Sequence, residues 1–314
     1  MTSDIVQRLL DGDRRALTRV VTWVENGYPQ GRDALRELFS HSGNAHIVGI
    51  TGSTGSGKST LVAAIAREYR RRDRSVGIIA VDPTSPFSHG ALLGDRIRMQ
   101  ELTSDPGVFI RSMATRGALG GLAAATNDVV TVLDASGEDV ILVETVGAGQ
   151  DEVEIADTAH TTVVISIPGA GDDMQAIKAG ILEIADILVV NKADLPLAEA
   201  VYKQLHIFME LDRSEGWRVP ILKTVATKGQ GVTELVEEID KHREYLTRSG
   251  RLAEMRRHRA RRQLLAAAQG LLLEAVLSTA EANGALDKLV ESVSRLEVDP
   301  RTAAEQLIKA AKSA

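Results

Sequence analysis

Eight consecutive residues, Gly52 to Ser59, read G-S-T-G-S-G-K-S and match G-x-x-x-x-G-K-[ST]. Glycines at this spacing let the backbone wrap tightly, so that its N–H groups can close around phosphate oxygens. Gly52, Ser53, Thr54, Gly55, Ser56, Gly57, Lys58, Ser59 and Thr60 therefore form a candidate phosphate cradle. Lys58 can reach β- and γ-phosphates, and the Ser59 hydroxyl can ligate Mg²⁺. A second constellation, Asn191-Lys192-Ala193-Asp194, spells N-K-x-D. A carboxylate there can accept from the guanine N1–H and exocyclic amine together. Adenine has no such donor pair, so the two motifs point to GTP and GDP. Asn191 is expected to tie this loop to the cradle, and the Lys192 stem to cover a face of the base. The last guanine loop would fall at Val225-Ala226-Thr227, where the common serine–alanine pair is not spelled out; Ala226 and Thr227 are its candidates.

Further residues suit a hydrolytic site. Glu144-Thr145-Val146-Gly147 looks like a D-x-x-G element with glutamate replacing aspartate. A carboxylate at the carboxyl end of a strand can hold Mg²⁺, directly or through water. The Gly147 N–H would sense the γ-phosphate. Asp82 and Asp95 fit the same metal site, although each alone also fits a loop or helix-cap role. Gln150, three residues after Gly147, is a candidate to orient water. Lys178 is either a solvated lysine or a cation brought to the nucleotide when a partner docks. Arg111 and Arg116 are further candidate cations or plain surface charges.

These residues need a scaffold. Short apolar runs recur as HIVGIT, SVGIIAVD, DVILVET, TTVVISI, ADILVVN and VPILKTV, mostly separated by segments long enough for a helix. Continuous apolar runs mark strands buried on both faces, hence an α/β fold with a mostly parallel sheet between helices. Residues 1–42 read as an amphipathic helical arm, 43–248 as the nucleotide domain and 249–314 as a helical tail. Of the 314 residues 44% are hydrophobic but only 3% aromatic, so the core must be aliphatic.

The chain has no cysteine, which excludes disulfides, thiolate metal sites and cysteine nucleophiles. A net charge of -6 and arginine clusters without aromatic interleaving argue against nucleic acid as a partner. The amino terminus lacks a signal-peptide core, and no stretch reaches the roughly 20 apolar residues of a membrane span. A cytoplasmic protein without membrane contact is expected. The stretch LLAAAQGLLLEAVL is apolar enough to want a partner surface, which favours dimerisation through the tail.

AVDPTSPFSHGALLGDRIRM, FIRSMATRGALGGLA, ILVETVGAGQDE, IPGAGDDMQAIKAGILEIADILVVNKAD and VDPRTAAEQL resemble the MeaB/ArgK family of P-loop GTPases over nearly the whole chain. The resemblance implies a homodimeric GTPase that serves an adenosylcobalamin-dependent acyl-CoA mutase, gating cofactor loading and protecting the mutase. It matches Asp82, Asp95 and Glu144 to the Mg²⁺-region carboxylates and Gly147 to Glu152 to a switch loop. Gly169 to Lys178 match a segment that senses the partner. The family has also been described as a kinase linked to arginine transport, which would need an acceptor site that the sequence does not display.

Overall fold

A computed structural model describes residues 2–82, 100–114, 121–145, 151–168, 181–211 and 216–312. They fall into two compact units, Met1–Arg256 and Arg257–Ala314. Among the described residues the first unit has seven strands: β1 (His46–Gly52), β2 (Val76–Asp82), β3 (Val108–Ala114), β4 (Val140–Glu144), β5 (Thr161–Ser166), β6 (Ile187–Val190) and β7 (Ile221–Lys223). Their order is β3-β2-β4-β1-β5-β6-β7, and every pairing is parallel. The chain turns from one side of β1 to the other after β4, which makes the carboxyl end of β1 a topological switch point, where α/β folds bind ligands.

The α-helices of this unit among the described residues are α1 (Thr2–Leu10), α2 (Arg14–Glu25), α3 (Pro29–Leu38), α4 (Lys58–Arg71), the single turn α5 (Gln100–Thr103), α6 (Gly121–Ala135), α7 (Asp151–Thr158), α8 (Ala198–Leu211) and α9 (Val232–Arg248). Successive strand residues point to opposite faces, and both faces are covered. Ile47, Ile79, Val81, Ile141 and Val143 pack with α1–α3, α6 and α7. Val48, Ile50, Val76, Ile78, Val140 and Leu142 pack with α4 and α9. This two-sided burial is why the strand sequences are continuously apolar.

Residues 1–42 share that core with the sheet. Ile5, Val6, Leu9, Val20, Val21 and Val24 are buried at helical spacing in the cluster that holds Ile47. Asp13 caps α2 by accepting from Arg15 N at 2.8 Å and Ala16 N at 3.3 Å. The step into β1 is also fixed: the Asp134 carboxylate accepts the N–H groups of Gly43, Asn44 and Ala45 at 2.6, 2.9 and 2.9 Å.

β3 is not among the apolar runs that mark strands in the sequence. Phe109, Arg111 and Met113 share one strand face, and the arginine between two buried apolar residues breaks the run that would betray a strand. Arg111 is an internal ion-pair partner: its Nε donates to Glu25 of α2 at 2.8 Å. That pairing removes it from the candidate cations for the nucleotide.

The second unit is helical. It takes most of α10 (Arg251–Ala282), then α11 (Ala285–Ser294) and α12 (Pro300–Lys312). α10 is long and apolar enough, by length and composition, to cross a membrane, and almost none of its apolar stretch is buried. This corrects the expectation that no stretch reaches span length: Leu264, Leu265, Leu271 and Leu272 are all exposed, between small residues that keep the segment apolar.

Candidate guanine-nucleotide site

The cradle follows β1 directly and ends in the first turn of α4. Two glycines carry its shape. Gly52 has φ +145, and a Cβ there would stand 2.4 Å from the Ile165 carbonyl oxygen. Gly57, at φ +89, begins α4, and its Cβ would stand 2.6 Å from Asn191 Nδ2. Neither place admits a side chain. The loop closes on itself through Ser56 N–H to Ser53 O at 3.1 Å. Among the described residues no side chain caps α4, so the partial positive charge of its amino terminus faces the loop, where it favours an anion. The Ser53 and Ser56 hydroxyls are buried with no hydrogen-bond partner among the described residues. Orphaned donors, an uncapped helix start and a backbone-only wall together fit a phosphate group.

Lys58 is buried and folds over the loop, donating to the carbonyls of Gly52 at 2.7 Å and Ser53 at 3.0 Å. The Ser59 Oγ donates to Glu144 Oε1 at 2.6 Å, both groups being buried. This hydroxyl and carboxylate bring hard oxygen donors together beside the cradle, a donor set that suits Mg²⁺. Register places Glu144 opposite Ala80, so Asp82 lies at the same edge of the sheet, two residues further along β2. The side chain of Asp82, and all of Asp95, Arg116, Gly147, Gln150 and Lys178, lie outside the described residues. Thr145, next to Glu144, donates from Oγ1 to Thr51 Oγ1 at 3.0 Å, binding the root of the segment after β4 to β1.

The N-K-x-D loop is tied to the cradle as its spacing suggests. Asn191 Nδ2 donates to Ser56 O at 2.9 Å, while Asn191 Oδ1 accepts from Thr224 Oγ1 at 3.0 Å and Ala226 N at 3.2 Å. One buried side chain thus joins the phosphate loop, the base loop and the turn after β7. Lys192 Nζ adds a bond to Gly55 O at 2.8 Å, from a residue at φ +55. Strained non-glycine backbone of this kind gathers at functional sites.

Asp194 is exposed and pairs with Lys228 Nζ at 2.9 Å. That hydrogen bond, foremost, holds the Asp194 carboxyl below the usual range. Ala226 and the exposed Thr227 stand on the short helical turn Ala226–Lys228. Two contributors escape a reading of the sequence. Thr224 carries a hydroxyl at a strand end, a weak signal in itself. Lys228 lies beyond the segment where a motif is expected.

A different cluster sits toward the amino-terminal ends of the strands. His46 Nε2 and His242 Nδ1 lie 2.8 and 2.9 Å from Thr161 Oγ1, and His242 Nε2 lies 3.4 Å from Asp186 Oδ1. Burial pushes His242 down to about 4 and Asp186 up to about 7. These groups join α9 to the sheet, away from the nucleotide loops.

A glycine cradle at the switch point, joined through one asparagine to an N-K-x-D loop, defines a P-loop protein with a guanine-nucleotide site. A family model described as "Methylmalonyl Co-A mutase-associated GTPase MeaB" matches residues 17–281. A putative GTPase of Pyrococcus abyssi is 50% identical over 313 residues, covering 98% of this chain and 96% of its own. The mitochondrial methylmalonic aciduria type A homolog of Mus musculus is 31% identical, covering 97% of this chain and 78% of its own. A solved structure titled "Crystal structure of LAO/AO transport system kinase" superposes with a TM-score of 0.72 at 26% identity, covering 98% of this chain and 96% of that one. The chain belongs to the MeaB family and is a P-loop GTPase.

Proposed function

We propose that this GTPase serves an adenosylcobalamin-dependent acyl-CoA mutase of the methylmalonyl-CoA type, gating cofactor loading and protecting the mutase from inactivation. The observation that carries this reading is the family match over residues 17–281, a family described by its association with methylmalonyl-CoA mutase. The reaction is attack of water on the γ-phosphorus, releasing GDP and phosphate. Lys58 holds the β- and γ-phosphate oxygens and offsets charge that builds on them. Ser59 and Glu144, with Asp82 and Asp95, are the residues that would hold Mg²⁺. When bound, the ion neutralises charge on the phosphates. Gln150 is proposed to orient the water, Gly147 to sense the γ-phosphate and Lys178 to respond to the partner. The active form is proposed to be a cytoplasmic homodimer joined through the helical tail.

The test compares GTP turnover with and without a cognate mutase, for wild type and Lys178→Ala. Arginine-finger-type assistance is worth roughly 10³–10⁵-fold, so even partial stimulation is measurable. The variant is expected to keep its intrinsic rate and lose the acceleration. Equal stimulation of both proteins removes Lys178 from the role, and no stimulation of wild type by any acyl-CoA mutase counts against the mutase reading. The second reading is a nucleotide-dependent protein kinase, favoured by the name of the transport-system kinase structure. Radiolabel from γ-phosphate on a protein acceptor, rather than in free phosphate, would support it.

A further inference from the structure

Strands β1 and β4 pair in register from His46 opposite Val140 to Ile50 opposite Glu144, and there their ladder ends. Beyond it the two chains part. β1 runs on into the cradle, while Thr145 leaves β4 directly after the carboxylate that meets Ser59. The placement of Glu144 against Ser59 is therefore set at this fork. One backbone bond reaches past the last pair, from Thr145 N–H to Ile50 O at 3.2 Å.

The side chains add a second tie. Thr145 Oγ1 donates to Thr51 Oγ1 at 3.0 Å, and among the described residues each hydroxyl has the other as its partner. Both residues are buried, Thr51 at 0% exposed and Thr145 at 5%. Ile50 packs toward α4, where Ser59 meets Glu144, so strand alternation turns Thr51 and Thr145 to the other face, with Val143 and α7. A Cβ on Gly49, the neighbour of Thr51 on that face, would stand 2.8 Å from the Ile155 side chain. Valine has the shape of threonine and suits such an apolar, close-packed surface at least as well. Burying hydroxyls there costs free energy that packing alone does not return. What they add, and valine cannot, is a bond of fixed length and direction between two departing chains.

We propose that Thr51 and Thr145 are positioning residues for GTP hydrolysis. Their shared hydrogen bond holds the exit of β4 against the exit of β1, and so sets the Glu144 carboxylate at its working distance from Ser59 and the cradle. The pair acts through Glu144, from the opposite face of the sheet. The proposal rests on the reading of Glu144 and Ser59 as the Mg²⁺ side of the site and deepens it.

Thr51→Val, Thr145→Val, the double variant and Thr51→Ser test it. GTP turnover is followed across a Mg²⁺ titration, with GDP affinity by calorimetry and urea midpoints measured beside it. Each valine variant is expected to lower kcat roughly 10- to 100-fold, the scale of a small misplacement, and to raise the Mg²⁺ concentration that gives half the maximal rate. GDP without Mg²⁺ should bind as it does to wild type, since no phosphate or base contact is removed. The double variant should lose no more than the worse single one, because the two side chains act as a unit. Thr51→Ser keeps the hydroxyl and should recover most of the rate. Valine variants with lowered urea midpoints but unchanged kcat and Mg²⁺ requirement would overturn the proposal, leaving the pair a plain packing contact. Additive losses in the double variant, or no recovery with serine, would overturn it as well. If Thr51→Val does not fold, Thr145→Val carries the same comparison. The Glu144 reading fails separately, through a Glu144→Gln variant that hydrolyses GTP with an unchanged Mg²⁺ requirement.

Discussion

At the scale of single residues, the site depends on a few side chains whose partners are known. Asp194→Asn exchanges a carboxylate for an amide that must set a donor against one of guanine's. The variant is expected to lose about 1.5–3 kcal/mol of GTP affinity and to accept xanthine nucleotides better. Calorimetry with GTP and XTP measures both changes, and unchanged GTP affinity would contradict the assignment. Lys58→Ala removes the cation that meets the phosphates. Its ammonium donates to the carbonyls of Gly52 and Ser53, both within the loop itself, so the fold should persist while hydrolysis is lost. Native-like circular dichroism with undiminished turnover would refute the cradle.

At the scale of elements, α9 is joined to the sheet by neutral imidazoles. His242 is 2% exposed and held at about 4 against an ordinary 6.5, by burial first and the charge of Arg251 second. The unfolded chain takes up the proton near 6.5, and the folded chain does so only near 4. The contribution of His242 is therefore complete above 6.5 and drains away as the pH falls toward 4, by as much as about 3 kcal/mol. Asp186, held at about 7, titrates in the opposite sense over an overlapping range, so the clean observable is a difference between proteins. His242→Gln should be less stable than wild type at pH 7.5, with the gap closing toward pH 5. Urea midpoints across that range measure it, and parallel curves would mean that His242 is not held neutral.

At the scale of the whole molecule, α10 repeats its exposed leucines at seven-residue spacing, Leu264 with Leu271 and Leu265 with Leu272. A stripe of this period suits a second helix. If the tail joins two copies, wild type should sediment as a dimer, and Leu271→Glu with Leu272→Glu should give a monomer that binds GDP as before. A monomeric wild type would sink the dimer proposal. Co-sedimentation with lipid vesicles would instead assign the stripe to a membrane surface.

The chemistry was legible in the sequence because its carriers are local. Gly52 to Ser59 and Asn191 to Asp194 are short strings whose residue types follow from phosphate and guanine geometry, and the central strands show as continuous apolar runs because both faces are buried. Other features are non-local. Arg111 and Glu25 are 86 residues apart, and only the packing of α2 against the edge of the sheet makes them a pair, hiding β3 from a reading by hydrophobic pattern. Thr224 and Lys228 gain their roles because β6 and β7 lie side by side, which sets the turn after one strand against the loop after the other. The arm reads as a separate segment because its helices are amphipathic, yet its apolar stripe is buried against the sheet core. A hydrophobic stripe states that a partner surface exists, and strand order decides which surface that is.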